Sequence, residues 1–243
     1  MESDELDAVS VLNDPLRRKL YRFVAARGRE VGRNEAAEAL GIQRTLAAFH
    51  LDKLADAGLL EADFRRLGDR TGPGSGRPAK VYRRARAERI VSLPPRDYRT
   101  LALILAEAVD LLGAEERAEE AARRAGERLA RAAFPEDGDG AASGAVAAGG
   151  RPASSVGAGV AGGGRVAALL AERGYEPYEE EGRIRLRNCP FHASAERHPL
   201  LVCSMNLALC QGVLAALGEP EDAAELDPRP GECCVAISKT NES

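Results

Sequence analysis

Tryptophan is absent from the 243 residues, and the other aromatics amount to five Tyr and five Phe. Cores must therefore be built from Leu, Ala, Val and Ile. An unbroken apolar run of about 18 residues, the length a membrane helix needs, is missing as well, so no span is expected. The opening Met-Glu-Ser-Asp-Glu-Leu-Asp is acidic and lacks an apolar signal core, which leads us to expect a cytoplasmic chain. Cysteine is missing before residue 189, and all five copies fall between 189 and 234. A disulfide framework is not expected in a cytoplasmic chain of this size. There is no glycine-rich phosphate loop, no pair of acids at a recognisable spacing and no oxyanion-hole motif, so catalysis is not expected. Cys203 with His198 as nucleophile and base is the remote enzymatic alternative.

The composition that remains, 44% apolar and 30% charged, is that of a globular protein. The net charge of −4 argues against nucleic acid as a partner until its distribution is read. Residues 1–90 hold 18 Lys/Arg against 14 Asp/Glu, and residues 65–89 hold nine against two. A basic segment on an acidic chain is a local anion-binding surface.

Asp14 and Pro15 open a helix whose Leu16, Leu20, Phe23 and Val24 share one face and which ends at Gly28. Asn34 is the expected cap of a short second helix, Glu35 to Leu40. Gly41 turns the chain into a third, Gln43 to Ala57, with Leu46, Ala47, Leu51 and Leu54 inward. Leu59–Phe64 and Val81–Arg83 are expected strands around the Gly/Pro-rich segment 71–78. One long helix is expected from Arg96 to Ala133. Its first half carries an apolar stripe from Leu101 to Leu112, a candidate dimer interface. Residues 135–164 are rich in Gly, Ala and Ser without period, the composition of a disordered loop. Beyond them the pattern predicts a helix from Arg165 to Arg173, strands at Glu176–Glu179 and Ile184–Arg187, an apolar helix Leu200–Leu217 and a last strand from Cys233 to Ser238.

The class expected is α+β: a winged helix-turn-helix in residues 1–93, a linking helix in 94–134 and a small cysteine-containing sensor domain in 165–243. The major groove admits one helix, and the side chains at its start reach base edges. Gln43, Arg44 and Thr45 occupy that place, and Lys53 lies further along for phosphate. Arg77 on the loop between the strands suits a narrow minor groove, with Lys80 behind it. Arg65, Arg66, Arg70, Arg83 and Arg84 are further phosphate candidates. His50 is read as a buried structural residue. A solvated charged hairpin is the plain alternative to a DNA-binding surface.

Asn13-Asp14-Pro15-Leu16-Arg17-Arg18, Ala37-Glu38-Ala39-Leu40-Gly41-Ile42, Ala48-Phe49-His50-Leu51-Asp52-Lys53-Leu54 and Gly76-Arg77-Pro78-Ala79-Lys80-Val81-Tyr82 resemble the ArsR-type winged-helix regulators. Asn188-Cys189-Pro190-Phe191, Leu201-Val202-Cys203 and Gly231-Glu232-Cys233-Cys234-Val235 narrow the resemblance to the SufR-like, iron–sulfur-sensing branch. Gln43 departs from the small capping residue usual at its position. The resemblance implies a homodimeric transcription regulator, a repressor in type, that binds a double-stranded operator and holds an iron–sulfur cluster through Cys189, Cys203 and Cys233.

The residues alone leave more open. Thiolates are soft ligands for clusters and for zinc. Zinc held by Cys189, His192, Cys203 and Cys233 competes with a cluster, as does a metal-free thiol–disulfide switch. Five cysteines with no shared role is the plain alternative. Candidates for a fourth ligand are Cys234, His192, His198 and Cys210. Strand alternation places Cys233 inward with Val235 and Ile237 and turns Cys234 away. Cys210 reads more simply as a small core residue. Release of operator by a small molecule, without metal, is a further class of regulation.

Overall fold

The fold comes from a computed structural model that describes residues 2–65, 78–92, 96–135 and 162–239. It is of mixed helix and sheet, and the chain divides into two compact units, Met1–Arg96 and Asp97–Ser243.

The first unit opens with a helix that the sequence pattern did not announce, α1 (Glu2–Ser10). A 3-10 turn then leads to α2 (Pro15–Arg27). Asp14 caps α2 as expected, its carboxylate accepting from the N–H groups of Leu16 at 2.8 Å and Arg17 at 2.9 Å. A two-residue strand, β1 (Val31–Gly32), also escaped the sequence reading. The following helix, α3 (Arg33–Leu40), is capped by Gly32 and so starts before the expected Asn34. Gly41 ends it with φ +65°, a left-handed conformation that costs glycine little. There the Ile42 N–H returns 3.0 Å to the Ala37 carbonyl, closing the turn into α4 (Arg44–Asp56).

The hairpin β2 (Leu60–Arg65) and β3 (Ala79–Arg84) is antiparallel and lies in register through Ala62↔Tyr82. With β1 it forms a sheet of order β1-β3-β2. Leu20, Val24, Val31, Leu51, Leu54 and Tyr82 make a core of aliphatic residues around one tyrosine. Leu46 does not join it. Its side chain is 41% exposed, because the inner face of α4 is Ala47, His50, Leu51 and Leu54. The segment 66–77, which includes Arg66, Arg70 and Arg77, lies outside the described residues, as does the linker segment 136–161.

Asp52 ties α4 to the hairpin. One carboxylate oxygen accepts from Lys80 Nζ at 2.6 Å and from the Tyr82 hydroxyl at 2.7 Å. Partial burial raises the Asp52 pKa, but the bonds from Lys80 and Tyr82 outweigh that and hold it below its ordinary 3.8. The folded chain therefore binds this proton more weakly than the unfolded chain. Its stabilising contribution is full above about pH 4 and is lost as pH falls further. In urea titrations, Asp52→Asn should lower the midpoint at pH 7 and leave a gap to the parent that closes towards pH 3. A gap of constant size across that range excludes this role.

In the second unit the expected single helix is two, α5 (Tyr98–Leu112) and α6 (Glu115–Ala133). Gly113, at φ +58°, breaks them, its N–H bonding back to the Asp110 carbonyl at 3.2 Å. Next comes α7 (Gly162–Glu172), which begins before the expected Arg165. The hairpin β4 (Pro177–Glu180) and β5 (Arg183–Leu186) is followed by a short helix, α8 (His192–Ala195), and by α9 (Pro199–Ala216). Strand β6 (Ala224–Leu226), absent from the sequence reading, and β7 (Val235–Ser238) complete an antiparallel sheet of order β4-β5-β7-β6.

Helix α9 corrects one expectation, since by length and composition it could cross a membrane. A helix that is apolar all round is either a span or a buried core element. Here Leu201, Ala208, Cys210, Val213 and Leu214 are buried within the unit. Helix α6 crosses it at a pair of glycines. A methyl group at Gly212 would strike the carbonyl of Arg123, and one at Gly126 would strike the carbonyl of Leu209. The Ala-rich half of α6 is thus an internal helix contact, with Ala122, Gly126 and Ala130 buried.

Candidate functional site

Two places gather the residues singled out from the sequence, one in each unit. In the first unit, Gln43 is extended (φ −67°, ψ 140°) and caps α4 without a side-chain bond. Gln43, Arg44 and Thr45 all face outward at the start of that helix, with Lys53 outward two turns on. Phe49 lies on the same side at 56% exposure, with its ring edge against His50. His50 itself is buried, as expected. The exposed aromatic was not picked as a contact residue, and nothing in its spacing separates it from a core position.

The hairpin's cations are less free than their sequence suggests. Lys80, a candidate contact, is bonded to Asp52 and lies over the Tyr82 ring. Arg65 pairs with Glu30 and Asp63, each at 3.2 Å, and Arg83 pairs with Glu61 at 2.7 Å.

In the second unit, three segments bring four thiols together. Cys189 follows β5, in a turn closed by the His192 N–H bonding to the Cys189 carbonyl at 3.0 Å. Cys203 lies on the first half of α9. Cys233 and Cys234 come just before β7, so the alternation expected of a strand does not apply to them. The Cys233 N–H bonds the Leu186 carbonyl at the end of β5 at 2.9 Å, and the Cys234 carbonyl accepts from the Asp227 N–H at 2.8 Å. Both backbones are therefore pinned, with Cys233 buried and Cys234 half-buried.

The sulfur groups interact in a chain: Cys189 with Cys233, Cys233 with Cys234, and Cys234 with Cys203. A hydrogen bond from Cys233 holds the Cys189 thiol below its ordinary value. The same bond pushes Cys233 up to about 11. Burial raises Cys203 to about 12. Cys234 is raised first by its bond to Cys233 and then by burial. Cys189 is thus the first to ionise in a network otherwise held as neutral thiols. Cys210 is fully buried in the core of the unit, and burial raises its thiol, in line with a packing role.

The histidines stand apart from this chain. His192 is exposed and pairs with Glu196 at 3.4 Å. The Nδ1 atom of His198 lies 2.7 Å from an Asp110 carboxylate oxygen, joining α9 to α5. Two residues that the sequence reading passed over lie against the thiols. The Tyr175 hydroxyl donates to Asn206 Oδ1 at 2.6 Å, and Asn206 Nδ2 donates to Cys233 Sγ at 3.1 Å.

Four sulfur donors from three segments suit a soft ion or a cluster chemically. Among the described residues, though, no three or more His, Cys, Asp or Glu are gathered around one point ready to hold an ion. Metal binding there requires the thiols to lose their protons.

Comparison with protein-family models, with curated proteins and with solved structures finds no match.

Proposed function

We propose that this chain is a DNA-binding transcription regulator of the winged helix-turn-helix type whose operator affinity follows the state of a thiolate-held inorganic site, an iron–sulfur cluster in the first instance. The observation that supports the reading is the run of pairwise interactions, Cys189 with Cys233, Cys233 with Cys234 and Cys234 with Cys203, that links thiols from three separate segments. Cys234 supplies the fourth donor in place of His192, which is exposed, and Cys210, which is packed in the core. Cys189, Cys203, Cys233 and Cys234 would have to lose their protons to hold the metal, and Cys189, lowered by its bond from Cys233, would lose its own most readily.

The DNA-binding half rests on the order α3, Gly41 turn, α4, hairpin, and on the outward Gln43, Arg44 and Thr45. In this reading Arg44 makes a bidentate contact to guanine and Gln43 to adenine. Lys53 and Arg77 are the proposed contacts to the phosphates and the minor groove, whereas Lys80 orders the hairpin through Asp52. Arg44→Ala should weaken operator binding by roughly 1–3 kcal/mol and relax base choice at one position, read by mobility shift against a panel of operator variants. Unchanged affinity and unchanged base preference would remove α4 from the interface.

Such regulators read paired half-sites as dimers. Leu101, Ile104, Leu105, Leu111 and Leu112 are all more than half exposed along α5, and a second copy of this chain is the occupant proposed for that face. In sedimentation runs the parent should be a dimer and Leu105→Glu a folded monomer, whereas a dimer in both cases excludes this face.

The reading as a whole is tested by iron, sulfide and zinc analysis of protein purified without oxygen, with operator affinity measured before and after chelation. Iron and sulfide in equal amounts, with an affinity that changes on their removal, support it. Stoichiometric zinc instead identifies the competing ion, and a metal-free protein with unchanged affinity overturns the sensor.

A further inference from the structure

Asn206 is 1% exposed in the middle of the most apolar of the described helices, with Met205 and Leu207 beside it. Burying an amide there costs free energy unless its polar atoms are bonded. Leucine has nearly the same shape and no such cost, so core packing gives no reason for an asparagine. Its bonds supply one. Oδ1 accepts from Tyr175, and Nδ2 points at Cys233 Sγ. Burial holds the Tyr175 phenol un-ionised, so it donates and fixes which end of the amide meets the sulfur. Tyr175 is itself anchored: it is 1% exposed, its ring edge packs against Phe191, and its carbonyl accepts from the Asn188 N–H at 3.1 Å, one residue before Cys189.

We infer that Tyr175 and Asn206 form a positioning pair whose N–H···S bond to Cys233 withdraws electron density from that thiolate in the loaded site. This inference rests on the thiolate site of the proposed function. The physical effect is general. A donor aimed at a ligating sulfur favours the electron-rich state of the metal it serves, and so raises the reduction potential of a cluster. Asn206 makes no bond to the metal in this role and acts only through Cys233. The amide also lies against Cys234, so both sulfurs of the adjacent pair feel it.

The test uses the full chain in three forms: parent, Asn206→Leu and Tyr175→Phe. Cobalt(II) is the first probe, because its thiolate-to-metal charge-transfer band reports sulfur donor strength directly. Both variants should bind as much cobalt as the parent, with the band moved to longer wavelength, and the shift should be larger for Asn206→Leu. The second probe is ferrous iron with sulfide. Losing the bond should alter the reduction equilibrium about tenfold towards the oxidised state, a fall of about 59 mV for a one-electron couple.

Full loading with an unmoved band and potential in both variants overturns the inference and leaves the thiolate site standing. Failure of Asn206→Leu to load while Tyr175→Phe loads with an unmoved band shows that Asn206 is only structural, and also overturns it. A parent that binds neither probe removes the site and the inference together.

Discussion

Gly212→Ala should destabilise the second unit by roughly 3 kcal/mol or more, a large cost for one methyl group. Overpacking is tolerated where a flexible side chain can swing aside, but here the obstacle is the Arg123 carbonyl, part of the backbone of α6. Gly126 meets the Leu209 carbonyl in the same way, so the two helices cross with each glycine seated on the other's main chain. Neither helix can yield without drawing apart along a contact that includes buried Ala122 and Ala130. A loss of that size is a large share of the 5–15 kcal/mol that holds a typical domain together. Chemical unfolding should show a lower midpoint for either glycine variant, and Gly126→Ala combined with Gly212→Ala should cost less than the sum, because one separation relieves both clashes. A change below about 1 kcal/mol would show that the helices do not cross this closely.

Cys233→Ser should abolish the binding of iron with sulfide and of zinc, whereas Cys210→Ala should leave both intact. The two cysteines are almost equally inaccessible, at 2% and 0% exposure, so burial does not separate them. Their surroundings do. Cys233 is bonded to Asn206, interacts with Cys189 and Cys234, and has its backbone held by Leu186. Cys210 packs with Val213, Leu214 and Ile237 in the core. Serine at 233 keeps the size but replaces a soft donor with a hard one, which a thiophilic metal does not accept in exchange. Alanine at 210 removes one buried atom, at a cost of about 1 kcal/mol in stability. The readout is metal per chain after anaerobic reconstitution. Retention by Cys233→Ser or loss by Cys210→Ala would mean that the wrong sulfurs have been assigned.

Much of the first unit was legible from local signals. Asp14-Pro15 marked the start of α2, Gly41 the turn into α4, and the Gly/Pro-rich stretch 71–78 the break between the two hairpin strands, because caps and turns depend on neighbours a few residues away. Where local signals are weak the reading slipped. Gly113 stops a helix inside a run that otherwise favours one. Gly32 caps α3 in place of Asn34 because the short β1 pairs with β3, a contact some fifty residues distant. Leu46 and Phe49 sit at helical spacing like core residues, yet both face outward, since which arc of α4 is covered depends on where α2 and the sheet pack.

The cysteines divide in the same way. Their soft-donor chemistry and their restriction to one end of the chain follow from composition, as does the core reading of Cys210. The place of Cys234 does not. Alternation predicted it outward, but β7 begins two residues later than expected, so alternation does not govern it, and the half-buried Cys234 interacts with Cys233 and Cys203. The role of Asn206 was likewise invisible, because an asparagine in an apolar helix has no meaning until Tyr175 and Cys233 are seen on either side of it.

The sequence by itself determined the chemistry on offer: arginine and glutamine at the head of α4, thiols confined to the last quarter, and helices and hairpins written in caps, turns and periodicity. Tertiary structure alone decided which of these groups meet, which cations are already committed to carboxylates, and which faces stay open. The physical reason is range. Caps, turns and periodicity are satisfied within a few residues, whereas the bonds of Lys80 to Asp52 and of Asn206 to Cys233 span 28 and 27 residues and exist only once the cores have closed around them.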